Sequence, residues 1–278
     1  MAEDLTAAAR APAPLPLRQW DRGGTRPVLA LHCALGHSGN WSGLAERLTG
    51  LRLVAPDLPG HGLAPAWVAR DSATGDYHRD ATLAVADLAA QLGGGAPIDL
   101  LGHSSGATVA LRLALERPDL VRSLVLIEPP FFAAARDSAE GRREAGEEAG
   151  TMALIETDPE AGAVRFHAVW GAGPRLADLP ERQRRYIVER IGYVAAQGPA
   201  LVEDSAGMLA PGRIESLGVP VLLVEGDESP PVIDAVQSAL AARLPRARRV
   251  IVPGAGHMLP LTDPDVVARA VQSHLEEA

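Results

Sequence analysis

The sequence predicts an α/β fold: a mostly parallel sheet flanked by helices and interrupted by an inserted helical cap. Three observations predict it. Short apolar runs that read as buried strands alternate with segments of helical periodicity, the pattern of a parallel sheet covered on both faces. From residue 131 to residue 217 that alternation gives way to charges, alanines and helical spacing with no convincing strand. In Ile98-Asp99-Leu100-Leu101-Gly102-His103-Ser104-Ser105-Gly106-Ala107, G-x-S-x-G stands where an apolar run passes directly into a helical pattern. Strand, sharp turn and helix in that order present a serine hydroxyl at a helix N-terminus, above the carboxyl edge of a sheet.

The elements follow in order. Residues 1–18, rich in Ala and Pro, read as a poorly ordered or edge-lying arm. Residues 26–32 (RPVLALH) read as a buried strand, 33–39 as a glycine-bearing loop, 41–48 as a short helix and 51–55 as a second strand. The run Asp57-Leu58-Pro59-Gly60-His61-Gly62 is a turn-rich loop. Residues 80–92 have helical spacing and stop at Gly93-Gly94-Gly95. After the serine turn and its helix, a strand at 123–127 ends at Pro129-Pro130. Beyond the insertion come a strand at 219–224, a helix at 231–244, a strand at 249–252 and a final helix at 264–275. The insertion is expected over the carboxyl edge of the sheet, where open α/β sheets bind ligands. The core is therefore assigned to residues 1–130 and 218–278, and the cap to 131–217.

Composition narrows the function classes. A chain of 278 residues suits one sizeable α/β domain with an insertion. The formal charge of −9 argues against nucleic acid or an anionic membrane as partner. One cysteine excludes an internal disulfide and any multi-cysteine metal site. The N-terminal residues include Glu3 and Asp4 without an apolar run, and no stretch is long enough to span a bilayer. The expectation is a soluble, cytoplasmic monomer or homodimer acting on a small molecule, with no cofactor and no metal.

A serine hydroxyl is a poor nucleophile near neutral pH and needs a base within hydrogen-bond reach. Of eight histidines, His257 has the best setting, in Pro253-Gly254-Ala255-Gly256-His257 after the last strand and before a helix. An acyl-transfer site also needs backbone donors for the developing oxyanion. The amide of Ser105 is one candidate, and the loop after residues 28–32 supplies the other, at Ala34 with Cys33 or Leu35 in contention. Cys33 itself reads as a small buried hydrophobe. His32, His37, His61 and His103 are expected to hold loops or line the pocket.

The segments His32-Cys33-Ala34, Asp57-Leu58-Pro59-Gly60-His61-Gly62, Gly102-His103-Ser104-Ser105-Gly106 and Gly254-Ala255-Gly256-His257 occur in this order. Together they resemble the α/β-hydrolase fold family, in its capped branch of esterases, lactonases, C–C bond hydrolases and dehalogenase relatives. The resemblance implies an eight-stranded, mostly parallel sheet with a helical lid after the sixth strand. It also implies Ser104 as nucleophile and His257 as base. Halide release is disfavoured, because those relatives carry an aspartate where this chain has Ser104.

A triad further needs a carboxylate behind the imidazole. Family members often place it after the seventh strand as Gly-x-x-Asp; here Glu225-Gly226-Asp227-Glu228-Ser229 sets Ser229 at that position. The favoured acid is Glu128, in Leu126-Ile127-Glu128-Pro129-Pro130 at the end of the strand expected beside the serine's strand. Asp227, or Glu228 beside it, is the alternative. In the insertion, Phe131, Phe132, Trp170 and Tyr186 could roof an apolar pocket, with Trp170, Phe131 and His103 as the substrate-binding candidates. Arg182, Arg184, Arg185 and Arg190, interspersed with Glu181 and Glu189, read as a solvated helix face, with an anionic substrate group as the other reading.

The function expected is a serine hydrolase for a small, partly apolar ester, thioester or lactone. The alternatives are a C–C bond hydrolase or another cofactor-free reaction on the same triad, since function lies in the site rather than the fold. A catalytically lapsed ligand-binding homologue is a third, favoured only by the irregular acid position.

Overall fold

The computed structural model describes residues 14–69 and 75–278. Its centre is a seven-stranded sheet in the order β1-β3-β2-β4-β5-β6-β7. The strands are β1 (Leu17–Asp21), β2 (Pro27–Leu31), β3 (Arg52–Pro56), β4 (Ile98–His103), β5 (Val121–Ile127), β6 (Val221–Gly226) and β7 (Ala247–Val252). Every neighbouring pair is parallel except β1 with β3.

The eight strands implied by the resemblance are thus corrected to seven among the described residues, and the insertion follows the fifth strand, not the sixth. The chain enters the sheet through Pro14-Leu15-Pro16, and proline lacks the N–H that another ladder would need. β1 begins in the segment read as an arm, at Leu17, and runs three residues beyond it. It is an edge strand with four of five residues exposed, so it carries almost no alternating apolar signal.

Side chains alternate across the central strands as a period of two requires. Leu29, Leu31, Leu100, Leu124, Leu126 and Leu223 enter one core with α1 (Tyr77–Gly93), α2 (Ser105–Glu116) and α6 (Pro231–Arg243). Val28, Ala30, Leu101, Val125, Ile127 and Val224 enter the other, against Trp41, Leu44, Leu48 and α7 (Pro264–Glu277). Both faces are dry, which is why these strands read as unbroken apolar runs.

Boundaries shift where caps and pairing decide them. α1 begins three residues before the expected start because Asp76 accepts from the Arg79 amide; Gly94, in the left-handed region, ends it. β6 runs on through Glu225 and Gly226, which pair with Ile251 and Val252.

The insertion between β5 and β6 contains α3 (Ala139–Thr157), α4 (Pro159–Trp170) and α5 (Glu181–Arg190), with shorter helices at Gly192–Ala195 and Gly198–Leu201. Ser138 and Asp158 cap α3 and α4 through their side chains. Ile155, Ala163, Leu176, Ile191 and Val194 form its own apolar cluster, onto which Ala34 and Leu35 of the loop after β2 pack. Tyr186 ties the insertion to the sheet domain: its hydroxyl donates to the Gly36 carbonyl at 2.9 Å and accepts from the Gly62 amide at 2.8 Å.

Candidate active site

Ser104 sits between β4 and α2 with φ 54° and ψ −125°. The amide of Ser104 donates to the Ile127 carbonyl at 2.8 Å, which ties the turn to β5. The turn closes only with glycine on both sides. A Cβ on Gly106 would lie 2.3 Å from the Leu31 carbonyl oxygen, and one on Gly102 would lie 2.5 Å from the Ala107 Cα. Gly106→Ala is therefore expected to cost about 3 kcal/mol or more, by overpacking against rigid backbone. The urea midpoint, or the loss of soluble protein, measures it; a midpoint equal to wild type would contradict the close packing.

His257 Nε2 lies 3.0 Å from Ser104 Oγ, and His257 Nδ1 lies 2.6 Å from Glu128 Oε2. A carboxylate partner requires the proton on Nδ1, which leaves the Nε2 lone pair to accept from the serine hydroxyl. The structure thus brings Ser104, His257 and Glu128 into one hydrogen-bonded chain, with the three residues 7 %, 6 % and 0 % exposed. Asp227 lies outside it: this residue is exposed, and its Oδ1 accepts from the Gly254 amide at 2.6 Å, closing the loop before His257. Glu228 is exposed as well.

Glu128 has φ 47°, in the left-handed region, while its amide still bonds the Val224 carbonyl at 3.0 Å. Its Oε1 accepts from the Gly226 amide at 2.7 Å and from the Ser229 hydroxyl. Ser229, the residue standing where an aspartate was expected, thus serves as a donor to the carboxylate that β5 supplies. Sequence reasoning missed that role, although an acid at 128 paired with a hydroxyl at 229 was a visible complement. Burial pushes the Glu128 carboxyl up, but the bond to His257, the attraction of its imidazolium and the Gly226 and Ser229 donors outweigh it, so the net shift is downward.

A carboxylate whose folded pKa lies below its unfolded value stabilises the fold above that unfolded value and loses the contribution as pH falls through the folded one. For Glu128 the ordinary value is 4.5, so its contribution is complete at neutral pH and declines below about pH 4.5. Denaturant unfolding from pH 6 down to pH 3 is expected to show a steeper acid loss in wild type than in Glu128→Gln. Parallel profiles would contradict the downward shift.

Of the four non-glycine residues with positive φ among the described residues, Leu35, Ser104 and Glu128 all belong to this region, and such strain gathers at functional sites. Leu35 lies in the turn closed by the Gly36 amide on the Cys33 carbonyl at 3.1 Å. The amides of Ala34 and Ser105 enter none of the turn, loop or cap bonds among the described residues. Ser105 is the first residue of α2, where an amide has no intrahelical acceptor.

The surrounding side chains divide by role. His103 is 2 % exposed, and its Nε2–H donates to the His257 carbonyl at 2.8 Å. Burial, with the nearby His257, lowers its pKa to about 3, so it is neutral; it buttresses the His257 loop from behind. Trp170 stands edge-on to the His257 ring at 4.9 Å and packs on Phe132. Phe131 is fully buried in the main core. His32 bridges the loops, with Nδ1–H on the Cys33 carbonyl and Nε2 accepting from the Leu58 amide. Asp57 accepts from the amides of Ser38 and Leu63. Cys33 is buried and its thiol is pushed up to about 12 by desolvation, which leaves it inert. No group of three or more His, Cys, Asp or Glu among the described residues could hold a metal ion.

Beside the site runs a groove of about 1140 Å³ whose lining includes Leu35, next to Ala34, and Leu261, four residues after His257, but not Ser104, His257 or Glu128. α5 of the insertion forms its far wall. No helix among the described residues is long and apolar enough to cross a membrane.

Comparison with known proteins agrees with the fold. The family model described as alpha/beta hydrolase fold matches residues 26–264. The lipase LipV of Mycobacterium tuberculosis is 31 % identical over 269 residues, covering 94 % of this chain and 97 % of its own. A pimeloyl-[acyl-carrier protein] methyl ester esterase of Nitrosomonas europaea is 30 % identical, covering 86 % of this chain and 91 % of its own. Among solved structures, a thermophilic esterase from Thermogutta terrifontis with malate bound superposes with a TM-score of 0.70 at 24 % identity, covering 94 % of this chain and 93 % of its own.

Proposed function

The chain belongs to the α/β-hydrolase fold family, and from that premise we propose that it is a serine hydrolase cleaving a small, partly apolar ester, thioester or lactone through an acyl-enzyme on Ser104. The observation that carries this reading is the unbroken relay from Ser104 Oγ to His257 at 3.0 Å and from His257 to Glu128 at 2.6 Å. The relatives named as a lipase and an ester esterase support the ester class.

In this reading His257 Nε2 takes the Ser104 proton as Oγ attacks the carbonyl carbon. Glu128, held ionised by its donors, keeps the imidazole in the required tautomer and offsets the charge it gains. The amides of Ala34 and Ser105 receive the oxyanion, in a site dry enough for such donors to count. His257 then protonates the leaving group, and the same nitrogen activates the water that releases the acid. Residues 131–217 act as the lid, with Trp170 over His257 as the apolar wall that excludes water. His103 acts as a positioning residue for the His257 loop. The lapsed-binder reading drew on Ser229 at the acid position, and a Glu128 already bonded to His257 removes that reason for it.

The test is covalent labelling followed by a substrate screen. A fluorophosphonate probe is expected to label wild-type protein at Ser104 and to leave Ser104→Ala unlabelled. A series of p-nitrophenyl esters of increasing chain length, run beside lactones, then orders the substrates. Folded wild type that takes no label and turns over none of these compounds would overturn the proposal.

A further inference from the structure

The groove beside the catalytic loops has a charge unlike that of the molecule. The chain carries a formal charge of −9, yet the groove is lined by Arg18, Arg182, Arg185 and Arg190 against Asp57 and Glu189. Both carboxylates are already engaged. Asp57 accepts from the Ser38 and Leu63 amides, and Glu189 pairs with Arg190 at 3.3 Å. Arg190 is also held by the Gly60 carbonyl at 3.1 Å and lies over the Tyr186 ring at 4.0 Å. Arg185 pairs with Glu181 at 2.7 Å, an exposed i,i+4 pair of little strength.

Arg18 on the edge strand and Arg182 on α5 are different. Both are exposed, and neither side chain donates a hydrogen bond or forms an ion pair among the described residues. His37, on the same wall, accepts from the Gly39 amide through Nδ1 at 3.0 Å. Its proton therefore sits on Nε2, a further donor. Burial lowers the His37 pKa, opposed by Asp57 and assisted by Arg18, which keeps the ring neutral and the tautomer defined. The groove thus offers two unengaged guanidinium groups and an imidazole N–H, from walls contributed by β1, the loop after β2 and the insertion. Against the four arginines the lining sets two carboxylates, Asp57, bonded to two amides, and Glu189, in an exposed pair with Arg190.

We propose that this groove binds an organic anion, a carboxylate or phosphate group carried on the substrate away from the scissile bond. Leu35 and Leu261, both in its lining, lie one residue from Ala34 and four from His257 along the chain, so the groove adjoins the segments that carry the site. Arginine suits this task because its planar fork meets carboxylate and phosphate oxygens in pairs. The substrate arm of the proposal rests on Ser104 as nucleophile; the binding arm does not.

The experiment therefore has two arms. In the kinetic arm, kcat/KM is compared for mono-p-nitrophenyl glutarate and p-nitrophenyl valerate, which differ in a terminal carboxylate. At low salt the ratio of anionic to neutral ester is expected to fall by about tenfold in Arg18→Ala/Arg182→Ala, the loss of one charge-assisted contact. Arg182→Lys is expected to recover part of it, and added salt to erode the wild-type preference. Arg175→Ala, an exposed arginine outside the groove, is expected to keep the wild-type ratio. A ratio unchanged in the double variant overturns the substrate role.

In the binding arm, glutarate and inorganic phosphate are titrated calorimetrically into Ser104→Ala protein with and without the two arginine substitutions. Glutarate binding weakened by the substitutions supports a carboxylate ligand; phosphate binding weakened in the same way, without glutarate binding, assigns a phosphoryl group. Failure of both to bind, or binding indifferent to the arginines, overturns the site. Wild type that hydrolyses neither ester while the binding arm succeeds would sink the serine-hydrolase reading and leave the anion site standing.

Discussion

Glu128→Gln is expected to lower kcat by about 10⁴-fold while Asp227→Asn stays within about twofold of wild type. Glutamine keeps the shape of Glu128 and can still accept from the Gly226 amide and the Ser229 hydroxyl. It cannot hold His257 in the same way. Its amide N–H facing Nδ1 favours the tautomer with the proton on Nε2, which then has no lone pair for the Ser104 hydroxyl. It also brings no negative charge to the imidazolium that forms during attack. Asp227 is exposed and bonded to the Gly254 amide, so asparagine there keeps an oxygen acceptor for the loop. Initial rates on one ester across the three proteins decide the matter. The opposite ranking would move the acid to Asp227, and equal rates in all three would leave a Ser–His dyad.

Ser104→Ala is expected to remove about 10⁵-fold or more of the ester turnover, because the acyl-enzyme has no atom on which to form. The residual rate would come from the oxyanion donors and substrate positioning alone. Structure should survive the change. The backbone at residue 104 already accommodates a Cβ at φ 54°, and the loss is a single hydroxyl bonded to His257 at 3.0 Å. Unfolding free energy is expected to move by about 1 kcal/mol at most. A variant that unfolds would indicate a structural rather than a chemical role, and a variant that keeps its turnover would place the nucleophile elsewhere.

The strand alternation and the helical insertion were legible because both sheet faces are dry, so each central strand left an apolar run in the sequence. β1 was not, because it pairs by backbone at an edge and keeps most of its side chains in water. The start of α1 at Tyr77 depended on the Asp76 cap rather than on apolar spacing. Phe131 and His103 were read as pocket residues from their neighbourhood along the chain. In the fold Phe131 joins the main core and His103 turns behind His257 to hold its carbonyl. Spacing along a strand end places a residue near a site; it does not say toward which side its chain turns.

The features legible along the chain are local. G-x-S-x-G between a strand and a helix specifies a strained serine turn, since a Cβ at either glycine would strike backbone. The order of apolar runs specifies a parallel α/β core with an insertion. Which groups face one another across long separations follows from strand order and packing. Glu128 and Ser229 come together because β5 and β6 are parallel neighbours. His257 meets Glu128 because β7 pairs on the far side of β6 and its loop folds back over both. Arg18 and Arg182 share a groove because an edge strand and an inserted helix converge beside the loop after β2. Periodicity along a chain encodes which side of an element is buried, whereas a hydrogen bond between distant residues depends on strand order and the close packing of separate elements, which no local window contains.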